Sequence, residues 1–147
     1  ALFAIVAVVA LEPLAAPIGY APFNGIPPIY RLPASDAGAI VVDLPFPPPE
    51  AQFRNAPFLL NSTLNFKPLL NGYSGFVPPS YVQHYLQLNR FPSPAAIAAL
   101  EAEGVTHVFA HFDQFSTAEI EAIRRAPSLR LLAQDGPIAL YEVSANR

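Results

Sequence analysis

Three histidines, His84, His107 and His111, carry the clearest chemical potential in this sequence. His107 and His111 flank one apolar run and lie four residues apart. On a strand they share a face, separated by about 13 Å. One metal ion does not reach both, and His84 falls on the polar side of a predicted helix, so no metal site is expected. His111 and Asp113 follow the carboxyl end of the strand, where ligand sites of α/β sheets collect. Ser74 could complete a Ser–His–Asp triad with them. The stretch "GYSGF" lacks the second spacer of a G-x-S-x-G elbow, however, and nucleophilic catalysis is not expected. Asp113 then reads as the start of the loop before Ser116. Asp43 ends the first strand, while Glu101, Glu103, Glu119 and Glu121 fall on helix surfaces, so no carboxylate pair is placed for acid–base work. No catalytic residue, metal or cofactor is assigned, and the chain alone is expected to be non-catalytic.

The densest cluster of special residues is "KPLLNGYSGFVPPSYVQHY". Gly72 and Gly75 permit positive φ, and their amides could cradle an anion. No nucleotide-binding fingerprint surrounds them. Asn71 to Phe76 reads first as a turn, with the Asn-Gly pair supplying positive φ. Asn71, Gly72, Tyr73, Ser74 and Tyr81 are the candidate ligand or partner contacts, with Lys67 nearby. Asn61-Ser62-Thr63 matches a glycosylation sequon.

The elements that position these groups follow from composition and period. The chain has 147 residues, enough for one domain with a real core, and 52% are hydrophobic against 13% charged. So few charges suggest a surface partly covered by membrane or protein partners. The net charge is -3, which argues against nucleic acid. There are no cysteines, which excludes disulfides and thiolate chemistry. The opening "ALFAIVAVVALEP" has eleven apolar residues before Glu12. It reads as the end of a membrane helix or a short apolar foot, with Leu2, Phe3, Ile5, Val6, Val8 and Val9 meeting lipid. Residues 12–37 are Pro-rich and extended, with a short helix near Pro27 to Leu32. Residues 38–147 are expected to form an α/β domain.

Within it, Ala39 to Leu44 reads as a buried strand stopped by Pro45. "EAQFRNA" predicts a short helix broken before Pro57. Leu69 and Leu70 suggest another short strand. Tyr81, Tyr85 and Leu88 make the apolar stripe of a helix begun at Pro79. A second helix is capped by Ser93, opened by Pro94 and ended at Gly104. "VTHVFAHF" is a strand. Ser116 with Glu119 forms a capping box before the next helix. Leu129 to Ala133 and Ile138 to Val143 make a hairpin about Asp135-Gly136. The expected fold is α/β, a single layered domain with a mixed sheet of about five strands and a C-terminal hairpin.

"IVVDLPFP", "KPLLNGYSGFVPPSY", "LEAEGVTHVFAHFD" and "IALYEV", in this order, resemble the extracytoplasmic C-terminal region of bacterial multi-pass membrane proteins related to GT-C type glycosyltransferases, the arabinose- and mannosyltransferase-like group. The likeness covers roughly residues 10–143, and the Asn-Gly-Tyr-Ser stretch is its most specific part. It implies a periplasmic location, anchored by the N-terminal segment. The catalytic acids of that family lie in its membrane half, so none is carried over. Two expectations follow. One is a non-catalytic structural or accessory subunit of a larger membrane assembly, such as an energy-converting respiratory or photosynthetic complex, with other membrane subunits and the bilayer as partners. The other is the substrate-side domain of a GT-C type glycosyltransferase, binding a sugar or lipid carrier.

Overall fold

The computed structural model describes residues 23–144. The expected membrane contacts Leu2, Phe3, Ile5, Val6, Val8 and Val9, and most of the Pro-rich segment before Phe23, lie outside the described residues. No described helix is long and apolar enough to cross a membrane.

Four strands form one mixed sheet. They are β1 (Val41–Leu44), β2 (His107–His111), β3 (Leu129–Asp135) and β4 (Ile138–Val143), in the spatial order β1-β2-β4-β3. β1 pairs with β2 in parallel, with Val41 opposite His107 and Leu44 opposite Ala110. β4 runs antiparallel to both β2 and β3. The α-helices among the described residues are α1 (Ala56–Ser62), α2 (Pro79–Leu88), α3 (Pro94–Ala102) and α4 (Thr117–Arg125). The first three lie in the long crossover between the parallel strands, the connection that parallel pairing requires.

Every residue of β1 and β2 is buried. Both sheet faces are therefore covered, which explains why these strands read as continuous apolar runs rather than alternating ones. On one face Val42, Leu44, Val108, Ala110 and Tyr141 pack against Leu88 of α2, Leu100 of α3 and Ile123 of α4. On the other face Val41, Phe109 and Leu140 pack against Ile29 and Tyr30. Those two come from a 3-10 helix at Pro28–Ser35, where the short helix was expected.

The local signals work where they concern caps. The Ser93 side chain accepts the Ala96 amide at the start of α3. Ser116 and Glu119 form a complete capping box on α4. Gly104 follows α3 with φ of +72°, and Gly136 turns the hairpin with φ of +55°.

Three expectations are corrected. Pro57 does not break a helix: a 3-10 segment at Pro49–Asn55 runs into α1, and Pro57 sits in the first turn, where a missing N–H costs nothing. The segment at Leu69 makes a single parallel bridge to Val41 and no strand, which leaves four strands rather than about five. Pro68 lends its carbonyl to the Val41 amide but has no N–H with which to extend the ladder. Gly72 does not adopt positive φ, so the Asn-Gly pair does not make the left-handed turn that was expected.

A paired substitution checks this last point. A Cβ at Gly72 meets nothing within 4 Å, so Gly72→Ala should change stability by less than about 0.5 kcal/mol. Gly104→Ala should cost about 1 kcal/mol, because an L side chain at that φ strains the backbone. Urea unfolding midpoints of the two variants measure the difference.

Candidate functional site

The sheet face carrying Val41 and Phe109 also carries Asp43 and His111. Asp43 is opposite Phe109 in the β1/β2 register, so His111 lies diagonally across from it at the carboxyl end of the pair. The His111 Nε2 is 2.8 Å from Asp43 Oδ1. The Tyr30 hydroxyl donates to the same oxygen at 2.5 Å and lies 3.2 Å from His111 Nε2. Three polar side chains thus meet in the interior, and Asp43 is only 1% exposed.

Each is held by its own element. Tyr30 stacks on Phe109 with ring centroids 4.1 Å apart, and its carbonyl accepts the Asn65 side-chain amide. His111 packs against Phe58 of α1 with centroids 4.8 Å apart. Burial raises the Asp43 carboxyl above its ordinary value, and the contacts from His111 and Tyr30 oppose that rise. Two donors converging on one oxygen is a geometry suited to a carboxylate acceptor. Burial, then the charge of Asp43, pushes the Tyr30 phenol well above its usual range, so it remains a donor. Asp43 Oδ2 is the single buried side-chain polar atom without a hydrogen-bond partner among the described residues.

A second network braces the first. The Asp43 amide donates to Asn71 Oδ1 at 2.7 Å, and Asn71 Nδ2 donates to the Asp43 carbonyl at 3.0 Å. The main chain beside β1 pairs at Leu69 and then departs. The Asn71 carboxamide continues the ladder in its place. Asn71 Nδ2 also donates to Asn55 Oδ1, and Asn55 Nδ2 donates to the Gly72 carbonyl and the Tyr81 hydroxyl. Tyr81 in turn donates to the Pro47 carbonyl. Every polar group of this second network is satisfied.

Asn71 and Tyr81 therefore face inward and hold structure. Tyr73 and Ser74 are exposed, and Gly72 is half-buried. Gly72, Tyr73, Ser74 and Tyr81 border a shallow hollow of about 380 Å³ together with His84. Ser74 Oγ is engaged locally, donating to the Phe76 carbonyl. Asp113 is exposed, and the acid that reaches His111 is Asp43. The drawn triad of Ser74, His111 and Asp113 is thus not assembled. His107 sits at the far end of β2, with Thr106 Oγ1 2.8 Å from its Nδ1. No three potential metal ligands gather among the described residues.

A larger cleft of about 780 Å³ opens over His111, beyond the carboxyl ends of β1 and β2. Phe46, Phe53, Phe58 and Tyr85 supply aromatic surface. Arg54, Asn61, Asn89, Gln114 and His111 supply polar groups among them. The sequence reading placed His111 at a strand end but missed Tyr30, Asp43 and Asn55. The available signal was Asp43 itself, an acid inside an apolar run with both faces covered. No family model, curated protein or solved structure matches this chain.

Two measurements test this account. Asn71→Ala leaves the Asp43 amide and carbonyl and Asn55 Oδ1 without these partners, and should cost about 3 kcal/mol or more in denaturant unfolding. His107 is held below its ordinary value, chiefly by burial. The unfolded chain therefore binds a proton at this position before the folded one does. Its contribution is complete above about pH 6.5 and is lost as pH falls through the window below. His107→Gln should flatten that part of a stability–pH curve.

Proposed function

We propose that this domain is an extracytoplasmic, membrane-associated module that binds the sugar portion of a lipid-linked carrier in the cleft over His111. The observation that carries this reading is the make-up of the cleft. Apolar ring faces of a sugar suit Phe46, Phe53 and Tyr85, while its hydroxyls suit the planar amides of Asn61, Asn89 and Gln114. Arg54 adds a fork-shaped donor that fits a phosphate linking sugar to lipid. The position of the cleft, at the carboxyl ends of a parallel pair, is where open α/β sheets place ligands. The resemblance of "NGYSGFVPPSY" to the GT-C type proteins agrees with it. Membrane association in this proposal rests on the apolar string at residues 1–11.

A second reading, an accessory subunit docked on a larger membrane assembly, has its own support. Phe23, Phe66 and Phe76 are 68%, 83% and 68% exposed. Phe66 also holds a left-handed φ of +53°, a strained conformation for an aromatic residue with no core to fill. Large exposed aromatics of this kind suit a protein interface.

Calorimetric titration with mannose 1-phosphate and arabinose 1-phosphate separates the two. Binding of either, weakened about tenfold by Arg54→Ala and unaffected by Tyr73→Ala, is the expected result. Absence of heat with both, together with stoichiometric co-purification of large membrane subunits from native membranes, would establish the second reading instead.

A further inference from the structure

We infer that His111 presents Nδ1 to the cleft as a hydrogen-bond acceptor, its neutral tautomer set by Asp43, and that it reads one hydroxyl of the bound ligand. This rests on the sugar-binding reading of the same cleft and names the group that gives it specificity.

Asp43 Oδ1 faces His111 Nε2 at 2.8 Å, and the same oxygen already accepts the Tyr30 hydroxyl. An oxygen that serves as acceptor to Tyr30 and meets Nε2 from within the sheet places the ring proton on Nε2. In the neutral ring the other nitrogen then has a free lone pair. Nδ1 makes no hydrogen bond to any described residue. Nor is it sealed in, since Asp43 Oδ2 is the single buried polar side-chain atom left without a partner among the described residues. His111 lines the cleft, and Phe58 packs against its ring at a tilt of 35°. The other polar groups around the cleft are a guanidinium and three carboxamides, which can all donate. Unlike a carboxamide, the neutral ring in this tautomer can only accept at Nδ1. A ligand hydroxyl donating to Nδ1 while accepting from Asn61 or Gln114 would have both of its roles met. An analogue without that hydroxyl would leave Nδ1 desolvated and unpaired, which is how such sites discriminate.

The carboxylate also explains why the acceptor is a histidine and not an amide. A carboxamide turns over and offers either end, whereas the ring's sense is set by a partner that the ligand never touches.

Two experiments test this. Long-range proton–nitrogen correlation spectra of the unmodified protein at neutral pH should show the His111 proton on Nε2 and a bare Nδ1. A proton on Nδ1 overturns the inference whatever the binding data show. The second compares His111→Asn with His111→Gln. Asparagine places its amide near the position of Nδ1 and abandons Asp43. Glutamine keeps a group near Nε2 and leaves the Nδ1 position empty. Titrated with the sugar phosphate that the wild type binds, His111→Asn should retain affinity within about tenfold and His111→Gln should lose more, while melting temperatures run in the opposite order. If asparagine binds no better than glutamine, the acceptor inference falls and the sugar-binding reading stands. If the wild type binds neither sugar phosphate, both fall.

Discussion

A carboxylate sits buried in the border strand of this sheet, and the structure around it is arranged to make that tolerable. Asp43 belongs to a strand buried on both faces, where an isolated charge carries an effective penalty of several kcal/mol. Tyr30 and His111 meet one side-chain oxygen, and Asn71 takes the backbone amide and carbonyl. These partners come from three different parts of the chain. Placing them together fixes the 3-10 segment at Pro28–Ser35, the end of β2 and the loop before α2 relative to β1. A leucine at this position would fill comparable space without any of these demands. A buried ionic cluster is weak evidence for stability as such. The carboxylate lies directly behind His111, which lines the cleft, and one of its oxygens has no partner.

The legible and illegible parts of the chain divide by range. Caps were readable because their partners are at most four residues apart: Ser93 with Ala96, Ser116 with Glu119, Gly104 at the end of α3. Buried strands were readable because coverage on both faces leaves an unbroken β-branched run, as in Val41 and Val42. The central cluster joins residues 13, 68 and 81 positions apart, and no local pattern links them. Asn71 shows a subtler limit. Asn-Gly is a strong turn signal, yet the asparagine here contributes through its side chain and the glycine needs no left-handed φ. His111 was placed correctly at a strand end but given the acid nearest in sequence, Asp113. The acid nearest in space was one strand over.

Prolines shape the cleft in a way that single residues would not suggest. Pro45, Pro47 and Pro48 follow β1 directly and form part of the cleft wall with Phe46. Residues without an N–H leave no orphan donors along such a wall. The Pro47 carbonyl points back to Tyr81. The Pro48 carbonyl likewise turns inward, to the Ala51 amide, so part of this wall's backbone polarity is spent within the fold.

The carboxamide of Asn71 has an effect beyond bracing Asp43. By occupying both the amide and the carbonyl of that residue, it closes the β1 margin of the sheet to strand addition. Together with the Leu69 bridge, it removes the row of open backbone groups that would template pairing with another chain. The opposite margin is β3, which pairs only with β4 among the described residues, exposes Leu131 and is bent by a bulge between Leu131 and Ala133. Among the described residues the sheet is thus polarised, one border sealed by a side chain and the other unpaired and irregular. Of the two described borders, only the one at β3 keeps backbone groups to which a further strand could pair.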